Sequence, residues 1–125
     1  MNANPTVLDF VSLQVTDRAA AHHFYHEILG FALSDYQPPQ AEVYQDGKGA
    51  IFAVRDPFPG FSSTEKGAGV SLWFGWNGSV DELAKRLEVA GVRIVQPPFD
   101  TPFGRALNCL DPEGYSITLH EVSHE

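Results

Sequence analysis

Cysteine and positive charge are both scarce in this chain. One cysteine, Cys109, stands in 125 residues, which excludes an internal disulfide. Its apolar neighbours and strand-like context read as a buried, inert thiol. Lys and Arg number 8 against 16 Asp and Glu, a formal net charge of −8. Nucleic-acid binding needs clustered Lys and Arg on one face, so that class is excluded. A negative field favours solubility and attracts cationic small molecules. No apolar run approaches the length that crosses a bilayer. The opening residues MNANPTVLDF hold neither a basic n-region nor an apolar h-region, so no secretory signal is expected. A cytoplasmic setting is expected, with neither nucleic acid nor membrane as partner.

What is present is a structural sentence stated twice. FVSLQV, AAAHHFYHEILGF and EVYQDGKGAIFAV in the first half are answered by SLWFGW, VDELAKRLEVAGV and RALNCLDPEGYSITLHE in the second. Each copy reads strand, amphipathic helix ending at Gly, then a hairpin with an Asp-Gly or Asp-Pro-x-Gly turn. Repeats of this size build matched half-structures. With 43% hydrophobic residues, the chain suffices for one compact domain. The first module covers about 7–55, a Pro-, Gly- and Ser-rich linker 56–68, and the second module about 69–122. Phe58 and Phe61 lie on that linker, placed either to cover the core or to rim a pocket.

Val11, Leu13 and Val15 alternate with Phe10, Ser12 and Gln14, the period of a two-faced strand. Thr16 or Asp17 is placed to cap the next helix, whose Ala21, Phe24, Tyr25 and Ile28 share one face and whose stop is Gly30. Ser79-Val80-Asp81-Glu82 forms a capping box, since hydroxyl and carboxylate can each satisfy an orphan backbone N–H. Val80, Leu83, Ala84 and Leu87 then make the buried stripe before Gly91. Asp46-Gly47 and Asp111-Pro112-Glu113-Gly114 mark tight hairpin turns.

FVSLQVTD with HFYHEILGF, and FGRALNCLDPEGYSITLHE with its D-P-x-G turn, resemble the vicinal oxygen chelate superfamily over nearly the whole chain. That group includes glyoxalase I, extradiol dioxygenases, and the bleomycin- and fosfomycin-resistance proteins. The resemblance implies an α+β fold of two βαβββ modules whose strands form a curved, cupped mixed sheet with helices outside. It also implies a homodimer, with the N-terminal strand after Pro5 a candidate for exchange between subunits. Metal-dependent members place His on the first strand of a module and a carboxylate on the last. Those positions fall here on Phe10, Ser71, Thr118 and about Ala53. Phenyl and methyl groups offer a divalent metal no ligand, and hydroxyls are poor ones. No metal and no other cofactor is therefore expected, and no catalytic residue is assigned.

Other chemistry-bearing residues fare no better as catalysts. His22 and His26 have a metal-compatible spacing, but with His23 they oppose Phe24, Tyr25 and Ile28 and read as a solvated helix face. His120 shares strand parity with Thr118 and reads as a polar contact or proton acceptor, beside the plainer reading of a structural histidine. His124 lies near a fraying terminus. A G-x-S-x-G elbow and a phosphate-cradling glycine loop are both missing.

Strand parity then gives the expected cup. Phe10, Ser12, Gln14, Ser71, Trp73, Ser116, Thr118 and His120 face its interior, while Leu72, Phe74 and Trp76 are buried beneath the helices. Aromatic faces beside a few hydrogen-bonding groups suit a planar, partly polar or cationic ligand, and this is preferred to the plainer reading that Phe10 and Trp73 fill an internal core. The sequence is thus read as a metal-free binding protein that sequesters an antibiotic or metabolite, like the bleomycin-resistance branch. Two alternatives stay open. One is a metal-dependent lyase, isomerase or dioxygenase with a non-standard ligand set that includes His120 or Glu121. The other is a ligand-free module for dimerisation.

Overall fold

A computed structural model describes residues 6–61 and 66–122, and His124 lies outside them. The chain divides into two compact units, 1–61 and 62–125. Both are βαβββ. The first runs β1 (Val11–Gln14), α1 (Arg18–His22) continuing as a π-helix (His23–Ile28), β2 (Ala32–Leu33), β3 (Ala41–Gln45) and β4 (Ala50–Arg55). The second runs β5 (Ser71–Trp76), α2 (Val80–Val89), β6 (Ile94–Phe99), β7 (Ala106–Leu110) and β8 (Ser116–Glu121).

Each unit folds its strands into a four-stranded mixed sheet, in the orders β1-β4-β3-β2 and β5-β8-β7-β6. The first strand of each pairs in parallel with the last, and the remaining pairs are antiparallel. Joining parallel neighbours requires a crossover, and the helix supplies it. Strand β6 carries Pro97 and Pro98 within its second register shift, between Gln96 and Phe99. Proline cannot donate to a ladder, so such a strand belongs at a sheet edge.

In the first unit the Asp17 carboxylate caps α1 by accepting from the Ala20 N–H at 3.0 Å. The helix does not stay regular. Leu29 N–H reaches back five residues to the Phe24 carbonyl at 3.0 Å, and this wider turn buries Leu29 beside Phe24 and Tyr25 while the expected Ile28 is only half-buried. Phe31, Tyr44 and Phe52 complete the ring cluster, with Tyr25 5.1 Å from Phe52 and 5.9 Å from Tyr44 and Phe31. Burying rings this size stabilises by about 1.5–3 kcal/mol each.

The expectation of three solvated histidines on this helix holds only for His23, which is exposed and donates to Glu27 at 2.6 Å. His22 Nδ1–H donates to Glu42 on β3 at 2.7 Å, and His26 Nδ1–H to the Phe31 carbonyl at 2.7 Å. Glu42 is within reach because strand alternation puts it on the helix side with Tyr44, whose hydroxyl it also accepts at 2.7 Å.

In the second unit α2 packs on β6, β7 and β8, burying Val80, Leu83 and Leu87 against Leu107, Cys109, Ile117 and Leu119. The capping box is half formed. Ser79 Oγ accepts from Glu82 N–H at 3.2 Å, but it is Glu121, from β8, that takes the Val80 N–H at 2.8 Å. At the β7–β8 turn the buried Asp111 carboxylate accepts from the N–H groups of Glu113 and Tyr115 at 2.8 and 2.9 Å. Leu72, Phe74 and Trp76 are half-buried rather than buried, because β5 is an edge strand of its sheet.

Candidate functional site

Strand pairing decides which second-unit residues share a face. Ser71, Trp73 and Gly75 on β5 register with Ser116, Thr118 and His120 on β8. Those in turn register with Leu110, Asn108 and Ala106 on β7. Side chains alternate along each strand, so all of these occupy the face opposite Ile117, Leu119 and α2. The sequence assigned Ser71, Trp73, Ser116, Thr118 and His120 to one face, and the register brings them together on it.

Hydrogen bonds knit the polar members. Asn108 Nδ2 donates to Ser116 Oγ at 2.8 Å and to Thr118 Oγ1 at 2.9 Å. Thr118 Oγ1 lies 3.2 Å from Ser71 Oγ. One amide thus holds two hydroxyls in place and, through Thr118, a third. Thr118 is only 3% exposed, flanked in register by Trp73 and Asn108. The network leaves hydroxyl protons and the amide oxygen to meet a ligand.

Beside it lies an aromatic patch. Trp73 is 46% exposed, with the His120 ring 5.9 Å away and the Phe103 ring 6.1 Å away in edge-on contact. Asn108 and Phe103 are the members that sequence reasoning missed. For Asn108 the signal exists, since the hairpin folded about the Asp111 turn puts it across from Thr118. Phe103 sits in the β6–β7 turn, where no periodicity points to it.

The remaining predicted residues belong to the first unit. Ser12 and Gln14 register with Ala53 and Arg55 on β4, on the face opposite Leu13, Phe52 and Val54. Ser12 is exposed, and Gln14 Oε1 accepts from the Phe58 N–H at 2.7 Å. Phe10 precedes β1 and is 38% exposed. The Arg55 guanidinium lies 3.6 Å over the Phe58 ring, a cation–π contact that gives this linker aromatic a place on the first unit.

A divalent metal does not fit these residues. The hydroxyls of Ser71 and Thr118 are engaged with each other and with Asn108, Ala53 is a buried methyl, and Phe10 has no donor atom. Among the described residues no three His, Cys, Asp or Glu side chains converge as a metal would require. Glu121 registers with Trp76, on the helix side, and is occupied capping α2. It does not share a face with His120. Cys109 is buried, and burial pushes its thiol up to about 12, far from a nucleophilic thiolate at neutral pH. No helix among the described residues is long and apolar enough to cross a membrane.

Known proteins share this architecture. The chain is similar to TnmS3, an antibiotic binding protein from Streptomyces sp. CB03234, at 31% identity over 98% of this chain and 100% of that one, with a TM-score of 0.71. It is similar to a glyoxalase/bleomycin resistance protein from the same organism at 30% identity, over 91% and 99% of the two chains, with a TM-score of 0.68. The fold is also that of the fosfomycin resistance protein FosX from Listeria monocytogenes, at 17% identity over 96% of each chain and a TM-score of 0.73. No curated protein matches the chain. The profile of one family matches residues 7–119, and the chain belongs to that family, the Glyoxalase/Bleomycin resistance protein/Dioxygenase superfamily.

Proposed function

We propose that this chain is a metal-free binding protein that sequesters a small molecule, an antibiotic or a metabolite. The ligand lies against Trp73 and is met by Ser71, Asn108, Ser116, Thr118 and His120. The observation that carries the reading is the Ser71–Thr118–Asn108–Ser116 network. Two of its members, Ser71 and Thr118, fall where the family resemblance implies metal donors in ligating relatives, and the network is a pre-arranged set of neutral donors and acceptors beside an exposed indole. Such a surface binds without supplying a Lewis acid or a nucleophile. Similarity to an antibiotic binding protein at 31% identity over nearly the whole of both chains supports the same reading.

A planar guest suits Trp73. A cationic one would be drawn by the long-range field of the −8 charge, since the face itself includes no carboxylate. We extend the proposal to Phe10, Ser12 and Gln14 as ligand contacts on the first unit, and to a cytoplasmic homodimer.

The test is a fluorescence titration with planar aromatic and glycopeptide antibiotics, run on the parent and on Trp73→Ala. Loss of the indole is expected to weaken binding by about 1–3 kcal/mol, and equal affinity in the two proteins would refute the site. Elemental analysis after purification without chelator is expected to find far less than one Zn, Ni, Mn or Fe per chain. Light scattering at micromolar concentration is expected to return the dimer mass.

A further inference from the structure

The β6–β7 turn does more than carry Phe103. Thr101 Oγ1 accepts from the Phe103 N–H at 3.0 Å and donates to the Gly104 carbonyl at 2.6 Å, and Gly104 N–H bonds the Thr101 carbonyl at 3.1 Å. Gly104 has φ +118, and a Cβ there would lie 2.4 Å from the Glu121 carbonyl oxygen. Only glycine lets the turn close this tightly onto β8. Phe103 is thereby fixed in two respects, with its ring edge-on to Trp73 and its carbonyl 3.1 Å from His120 Nδ1.

A carbonyl oxygen only accepts, so His120 Nδ1 must carry the proton. In the neutral imidazole the proton is then absent from Nε2, which becomes an acceptor. Among the described residues nothing bonds to Nε2. The ring shares its face with Ser116 and Thr118 and lies beside Trp73.

We propose that the β6–β7 turn, through the Phe103 carbonyl, locks His120 as the Nδ1–H tautomer, so that Nε2 selects planar ligands bearing an O–H or N–H donor. This rests on the ligand site proposed above and adds its selectivity. His120 contacts the ligand, while Phe103 and Gly104 are positioning residues. A flat ring on Trp73 with a phenolic or amide proton at its edge is the fitting chemistry, and the same ring with that proton replaced by methyl leaves Nε2 unpaired.

Two measurements test this. Long-range proton–nitrogen spectra of the nitrogen-15-labelled protein at neutral pH are expected to show His120 protonated at Nδ1 and bare at Nε2. The opposite tautomer overturns the proposal with no ligand involved. Calorimetric titration then compares 2-naphthol with 2-methoxynaphthalene. The parent is expected to prefer the naphthol roughly three- to ten-fold, the worth of one hydrogen bond. His120→Phe, which keeps a ring beside Trp73, is expected to bind both alike, and His120→Gln, which restores an acceptor, to regain part of the preference.

Equal binding of the two probes by the parent, with both weakened in Trp73→Ala, overturns the tautomer selectivity and leaves the ligand site standing. Failure of the parent to bind either probe, or undiminished binding in Trp73→Ala, overturns the site and the selectivity together.

Discussion

In the first unit the aromatic rings lie on the helix side of the sheet, where Phe24, Tyr25, Tyr44 and Phe52 are buried. In the second the fully buried part of the helix side is aliphatic, made of Val80, Leu83, Leu87, Leu107, Ile117 and Leu119, with Phe74 and Trp76 half-buried at its β5 edge, and the rings Trp73 and Phe103 stand exposed beyond the opposite face. The two units have the same strand order and the same parallel closing pair. Topology therefore follows from the order of elements and the period of apolar residues, which both copies keep. Which face receives the rings is a separate choice. In the first unit they fill the core, and in the second Trp73 and Phe103 are left exposed.

The most forceful way to break this comparison is to remove one buried side chain from each core. Phe52→Ala opens a cavity among Tyr25, Phe31 and Tyr44 and is expected to cost about 3–5 kcal/mol. Leu87→Ala, its counterpart in the aliphatic core, is expected to cost about 2–5 kcal/mol. Urea unfolding followed by circular dichroism measures both. A Phe52→Ala protein within about 1 kcal/mol of the parent would mean that the ring cluster is not what holds the first unit.

Two glycines sharpen the comparison at its turns. Gly30 ends the π-helix with φ +83 and open space where a Cβ would go, whereas Gly104 combines φ +118 with the Glu121 oxygen at 2.4 Å. Gly30→Ala carries only the backbone penalty, about 1–2 kcal/mol. Gly104→Ala adds a steric clash with backbone and is expected to cost more, about 2–4 kcal/mol in all. Equal losses in thermal melts would mean that the turn yields, and Phe103 with it.

Each core also holds a buried acid kept neutral. Burial raises the Tyr44 hydroxyl above its ordinary 10.0, with hydrogen-bonded Glu42 adding to the effect. Burial, with Asp111 adding, raises the Cys109 thiol from 9.0 to about 12. Both values are higher folded than unfolded, so the stability they contribute is whole below the unfolded pKa and is lost as pH rises. Cys109 responds first, above about pH 9, and is expected to remove on the order of 1 kcal/mol by about pH 10. Tyr44 adds to the loss above about pH 10. Urea midpoints measured across this range should fall with pH in the parent and fall less in Cys109→Ala. A midpoint that rises with pH would contradict both assignments.

Much of the second unit was legible because its signals are local and redundant. Ser79 marks the start of α2, Gly91 its end, the Asp111 turn its last hairpin, and two-residue alternation sorts Ser71, Trp73, Ser116, Thr118 and His120 onto one side. The first unit was less legible. An ordinary helical period puts Ala21, Phe24, Tyr25 and Ile28 on the buried face, but the π turn moves the last place to Leu29 and leaves Ile28 half-buried. His22 and His26 meet Glu42 and the Phe31 carbonyl through that turn and through strand pairing, contacts that a helical wheel cannot contain. For Glu121, offered by the sequence as an alternative to His120 in a metal-ligand set, the local pattern is silent on its real partner, the orphan N–H of Val80 across the unit.

The smallest stability effect belongs to the residue whose removal tests the binding reading. Trp73 is 46% exposed, with the Phe103 ring edge-on to it and the His120 ring tilted beside it. Trp76 is half-buried on the opposite face of the same strand. Removing Trp73 should cost less than about 1 kcal/mol of folding free energy, the value of an exposed edge-on pair. Removing Trp76 should cost more, about 1–3 kcal/mol, short of a fully buried tryptophan because β5 is an edge strand. Binding should rank the two the other way, with Trp73→Ala the weaker binder and Trp76→Ala near the parent. Crossed rankings of this kind separate a ring kept for a ligand from a ring kept for the fold. If Trp73→Ala melts lower than Trp76→Ala, the exposed indole belongs to the folded core after all, and the contrast between buried and available rings fails in the second unit.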